Sequence, residues 1–194
     1  MTQFVKVLND EKQDLTIPDG FVLVASDSQQ RNGETVRVER YQAGNPVVMN
    51  GPHVTVVYGE DDRLISYNNF AVELAGKRPS NQEATAIAER VFDRLDPVYA
   101  RRLSFMRVDH LSRYYNDADG RRVEIPILWV KFAHSNGSYN WVSVGADGFV
   151  VEVERESEWD YFRSRRSTEE WNYDDWVLAR MGKGPQPPAP EALA

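Results

Sequence analysis

The sequence predicts an α+β protein in which antiparallel β-meanders pack on a central helix. Three observations carry this. Between Pro79 and Pro97, Ser80 and Glu83 have the spacing of a capping box, and apolar residues then fall at Ala84, Ile87, Ala88, Val91, Phe92 and Leu95. The segments on either side alternate with period two or are rich in β-branched residues, and clusters of turn residues separate them. The helical stripe is too apolar to face water, so the helix should lie across a sheet.

Taken in order, residues 1–20 are polar and end in a turn at Pro18, Asp19 and Gly20. Residues 21–25 form a short apolar strand, and 26–33 a polar loop. Residues 34–41 alternate, with Val36 and Val38 on one face and Arg37 and Glu39 on the other. Gly44, Asn45 and Pro46 turn the chain into Val47, Val48 and Met49, and Asn50, Gly51 and Pro52 turn it again. His53–Tyr58 and Leu64–Phe70 read as a hairpin around the acidic turn at Glu60, Asp61 and Asp62.

After the helix, residues 103–115 read as a long strand that ends in the polar turn 116–120. Residues 124–134 carry apolar side chains on both faces, which predicts a central strand. Asn136 and Gly137 are a type I′ hairpin signal, because that turn needs two positive φ angles. Residues 138–144, a turn at Asp147 and Gly148, and residues 149–154 complete a second meander. The Val54–Tyr67 region and the Trp141–Glu152 region echo each other as an internal repeat would.

This reading divides the chain into a meander unit at 1–78, a helix-plus-meander unit at 79–155, an aromatic-rich C-terminal helix at 156–182 and a disordered Pro/Ala tail at 183–194. Ser167 and Glu170 supply the capping box of the last helix. Tyr173, Trp176, Val177, Arg180 and Met181 keep helical spacing as far as Gly182.

With 194 residues and 41% hydrophobic content, the chain suits one good core or two small ones. A net charge of -7 argues against a nucleic-acid surface. The absence of cysteine excludes disulfides, thiolate catalysis and cysteine-ligated metals. No window has the roughly 18 apolar residues of a membrane span, and no secretory leader is present as written. The expectation is a soluble, cytoplasmic chain, extracytoplasmic if a leader was removed.

Sites are few. His53, His110 and His134 lack metal-pair spacing, and residues 117–120 lack the flanking carboxylates of a calcium loop. No nucleophile elbow or phosphate loop is present, so no catalytic residue, metal ligand or cofactor is assigned. The informative cluster is Trp159, Tyr161, Phe162, Trp171, Tyr173 and Trp176, with Arg163 and Arg166 at its rim. These aromatics either cover one end of the sheet or anchor a protein partner.

The run from Val36 to Tyr41, then Gly44, Asn45, Pro46, Val47 and Val48, then Gly51 and Val54 to Val57, resembles the strand module of thermolysin-type metallopeptidase propeptides. Glu83, Ala84, Ile87 and Ala88, followed by the Trp129 to Val144 meander and the turn at Asp147 and Gly148, resemble a PepSY domain. The likeness covers about residues 34–154. Asp62 and Arg63 depart from it, standing where the family has a glycine turn. It implies two PepSY- or cystatin-like units and a non-catalytic protein-binding module that inhibits or regulates a peptidase.

A second reading is a ligand-binding or enzymatic domain with a pocket between helix and sheet. Tyr114, Tyr115, Trp129 and Tyr139 would line it, and His110 would be its acid–base group. Self-association through the aromatic helix is a third.

Overall fold

The computed structural model describes residues 3–193; residues 1 and 2 of the 1–78 unit and residue 194 of the expected tail lie outside them. A hairpin comes first, β1 (Gln3–Val7) and β2 (Asp10–Ile17). Four strands follow: β3 (Val22–Arg31), β4 (Glu34–Gln42), β5 (His53–Tyr58) and β6 (Leu64–Phe70). After the helix α1 (Asn81–Leu95) and the single turn α2 (Pro97–Ala100) come β7 (Leu103–Asn116), β8 (Arg122–His134), β9 (Tyr139–Val144) and β10 (Val150–Ser157). The chain ends in a two-residue ladder, β11 (Trp159–Asp160) with β12 (Arg165–Arg166), and a short helix α3 (Asp174–Arg180).

The eight strands β3 to β10 form one antiparallel sheet in the order β3-β4-β5-β6-β10-β9-β8-β7. Each meander therefore keeps its neighbours in sequence, and the last strand of one pairs with the last strand of the other. The two central hairpins share a register. Val56 faces Tyr67 as Val142 faces Val153, and Thr55 faces Asn68 as Trp141 faces Glu154. Across the join Glu152 faces Asn68 and Glu154 faces Ser66.

Alternation sends Val54, Val56, Val130, Val142 and Val153 to one face. There they pack with Ala84, Ala88, Val91, Phe92 and Leu95 of α1, and with Val5, Val7, Leu15 and Ile17 of the first hairpin. α1 lies over β8 and β9, while β2 reaches β6, so helix and hairpin share this face. Ser80 caps α1 through the expected box: its Oγ accepts from the Glu83 N–H and its own N–H donates to the Glu83 carboxylate. Pro97 opens α2 instead of simply stopping the chain, with Asp96 capping two of its N–H groups.

Three local expectations change. Residues 26–31 of the expected polar loop are the second half of β3, an edge strand whose Ser, Asp and Gln side chains face water and hide its period. Asn136 and Gly137 do turn a hairpin, but only Gly137 has positive φ, and its N–H bonds to the His134 carbonyl. The two-residue turns with two positive φ angles are at Asn32 and Gly33 and at Leu8 and Asn9. Strand β8 is next to the sheet edge, and its two apolar faces arise because both sides of the sheet are covered.

The C-terminal expectations change more. Only Asp174–Arg180 of the 156–182 segment is α-helical. The Ser167 and Thr168 N–H groups donate to the Glu158 carbonyl, and Glu170 takes positive φ, so no helix starts there. The described part of the expected tail, residues 183–193, packs back: Ala192 is buried with Trp171 and Trp176, and the Arg166 N–H donates to the Pro190 carbonyl. Contacts to the aromatic cluster outweigh the entropy that its Pro/Ala composition would otherwise keep.

Candidate functional site

The second face of the sheet is unusually polar for a covered surface. Arg40, Thr55, Ser66, Asn68, Lys131, Ser143, Glu152 and Glu154 are buried there. In sequence Thr55, Ser143 and Glu152 each stand between two valines, a pattern that a solvent-facing set would share; residues 158–193 cover this face. Charges taken out of water need partners, and the cap and the neighbouring strands supply these. Arg40 makes a two-pronged bond to Asp174 at 2.7 and 2.8 Å, and Lys131 bonds Glu169. Arg113 reaches Glu152 at 3.0 Å and Glu170 at 3.3 Å, and the Tyr173 hydroxyl donates to Glu152. Burial pushes the Lys131 ammonium below its ordinary pKa, with Glu169 opposing the shift, and pushes the Tyr173 hydroxyl well above its own.

At the β6–β10 join, Ser66, Asn68, Glu152 and Glu154 meet in one quartet. Glu154 is 1% exposed and pairs with Arg31 at 3.1 Å, yet burial raises its pKa to about 7. Its Oε2, both amide atoms of Asn68 and Thr55 Oγ1 have no hydrogen-bond partner among the described residues. The quartet is sealed from solvent. The cap reaches it through Asn172, which Ser66 meets at 3.3 Å, and through Tyr173 on Glu152.

The predicted aromatic cluster divides. Trp171 and Trp176, each 7% exposed, pack with Val36, Val57 and Ile65 on the sheet. Tyr173 stands edge-on to Phe70 at 5.4 Å between ring centres. Arg166 is half-buried, bonded to Glu191 and 3.5 Å from Glu170. These four are structural cover. Trp159, half-buried, pairs with Arg166 at the base of the β11–β12 ladder. At its tip Tyr161 is 70% exposed, Phe162 is fully exposed and Arg163 is exposed.

The tip is held firmly. The Arg163 N–H bonds Asp160, the Glu158 N–H bonds Thr168 Oγ1 at 2.9 Å, and the Tyr161 hydroxyl meets that of Tyr139. The sequence reading named these residues, but it could not separate anchors from cover, because both sets are aromatic and lie in one acidic, arginine-rich segment. It missed the charge network entirely, since Val-Glu alternation looks the same whether water or a cap faces the glutamates.

The tyrosine-lined pocket is not formed. Tyr115 is in the core, Trp129 packs on Trp141 at 5.3 Å, Tyr114 bonds Asp175, and Tyr139 meets Tyr161. His110 is exposed and bonds Asn81 at 3.0 Å. His53 is buried on the Gly51 carbonyl, where desolvation lowers its pKa, and His134 stacks on Tyr99. Among the described residues no three His, Asp or Glu side chains are grouped to hold a metal, and no helix is long and apolar enough to cross a membrane. Comparison with protein-family models, curated proteins and solved structures finds no match to this chain.

Proposed function

We propose that this chain is a non-catalytic, PepSY-like protein-binding module that docks through the tip of the β11–β12 hairpin. The observation that carries the reading is the exposure of Tyr161 and Phe162 on a braced turn. Each large apolar side chain contributes about 1.5–3 kcal/mol when it leaves water, and aromatic and arginine residues dominate binding hot spots. A turn already fixed by its base loses little further freedom on docking. The buried carboxylates are committed to ion pairs, whereas the Phe162 ring at the tip is fully exposed.

The likeness of residues 34–154 to metallopeptidase propeptides suggests a peptidase as partner, with inhibition or regulation as the outcome. The test is titration of the chain into a thermolysin-type metallopeptidase, reading residual peptide hydrolysis. Inhibition should be lost on Tyr161→Ser with Phe162→Ser, while the melting temperature stays within a degree or so, since exposed positions shift stability by about 0.5 kcal/mol or less. Equal potency of the variant, or no inhibition by the native chain, sinks the reading. A dimer mass by light scattering that the same variant abolishes would make a second copy the partner instead.

A further inference from the structure

A cavity of about 510 Å³ opens between α3 and the β3–β5 end of the second sheet face. Its walls are mostly apolar: Val38, Val47, Met49, Val177 and Met181. Met181 and Val47 stand at the mouth, 56% and 39% exposed. The size and lining are those of sites for small organic molecules.

One cation faces this space without an anion. The Arg180 guanidinium lies 4.3 Å from the centre of the Trp171 ring and 5.1 Å from that of Trp176, and it donates to the Trp171 carbonyl. Among the described residues no carboxylate forms an ion pair with it, and burial alone draws its pKa down to about 10. Arg31, Arg40, Arg113 and Arg166 each have a carboxylate partner. Two acids line the same space. Asp174 is held by Arg40, and Asp27 is exposed on β3 and makes no ion pair with Arg180. Thr55 and Asn172, also in the lining, each keep a side-chain polar atom without a partner.

We propose that this cavity binds a small amphipathic monoanion, a carboxylate on an alkyl or aryl body, with the carboxylate on Arg180 and the body among Val38, Val47, Met49, Val177 and Met181. A guanidinium fork matches a carboxylate, and a charge-assisted bond in a half-desolvated site is stronger than one in water. A single free cation, with Asp27 nearby, matches one negative charge and not two. The apolar walls select for a body that inorganic anions lack.

The probes are sodium octanoate, octan-1-ol and inorganic phosphate, titrated into the full chain and followed by calorimetry and by amide chemical shifts. Octanoate should saturate, with shifts at Val38, Thr55, Val177 and Met181, and bind at least about 10-fold more tightly than octan-1-ol or phosphate. Arg180→Gln should remove that preference and Arg180→Lys restore part of it. Val47→Trp, which fills the mouth without touching Arg180, should weaken octanoate and octan-1-ol alike. The proposal is overturned by equal binding of octanoate and octan-1-ol, by shifts confined to other surfaces, or by no saturation at millimolar octanoate. The shift map on the native chain decides the matter even where an Arg180 variant does not fold.

Discussion

At the scale of single residues, Glu154 has the clearest consequence. Its carboxyl titrates near 7 in the folded chain against about 4.5 when exposed, because burial penalises the charge more than Arg31 compensates. The folded state therefore holds this proton where the unfolded chain has lost it. The contribution of Glu154 to stability is complete below pH 4.5 and is lost as pH rises through about 7. Glu154→Gln keeps an acceptor for Arg31 and cannot titrate. The difference in urea midpoint between about pH 5 and pH 8 should shrink in this variant; an unchanged difference would mean that Glu154 is not the titrating group. Leu8 makes a second case. It is exposed yet holds φ at 52°, beside Asn9 at 65°. A branched side chain in the left-handed region costs about 1–2 kcal/mol, so Leu8→Asn should stabilise the chain by about 1 kcal/mol in denaturant unfolding.

At the scale of elements, α1 and the C-terminal cap differ in how openly the sequence declares them. α1 has a cap, a stripe and a stop, all local and all in agreement, and its bounds were legible to within a residue. Ser80→Ala should cost about 1 kcal/mol and Phe92→Ala about 3–5 kcal/mol, both read from denaturation midpoints. The cap has the same kinds of signal, with Ser167 and Glu170 in box spacing and aromatics in helical phase, and it folds otherwise. Glu169 goes to Lys131, Glu170 to Arg113, and Asp174 to Arg40. Those partners lie on strands far away in sequence, and no window around the cap contains them. The two tryptophans illustrate the difference. As exposed anchors they would be replaceable without loss of stability; as buried cover, Trp176→Ala should cost about 3–5 kcal/mol, measured by urea unfolding. The hairpin tip, expected as part of a helix, is instead the turn of a two-residue ladder.

At the scale of the whole molecule, the sheet is the unit that cap, helix and hairpin all lean on. The two meanders were legible because each strand pairs with its neighbour through a short turn with its own chemistry. The β6–β10 join was not, because two strands distant in sequence meet without any turn between them. Since the cap is tied to β4, β7, β8 and β10, it should not melt alone. Fluorescence of Trp171 and Trp176, isolated by replacing Trp159 with Phe and the sheet tryptophans with Phe or Tyr, should report the same midpoint as circular dichroism of the strands. An earlier fluorescence transition would mean that the cap peels off a sheet that survives it.

The same join sets a schedule for the newborn chain. Strand β6 is complete at Phe70, but the edge it must pair with begins only at Val150. At ordinary rates of protein synthesis the ribosome takes on the order of ten seconds to make the intervening residues. Throughout that interval β3 to β6 can form a sheet whose last edge is unpaired, and an unpaired edge invites pairing with another chain. The Ser66 and Asn68 side chains on that strand make its cap-facing side wettable. The polarity that ends up buried beneath the cap thus makes the half-made edge a poorer template for a neighbouring chain than an apolar strand would be.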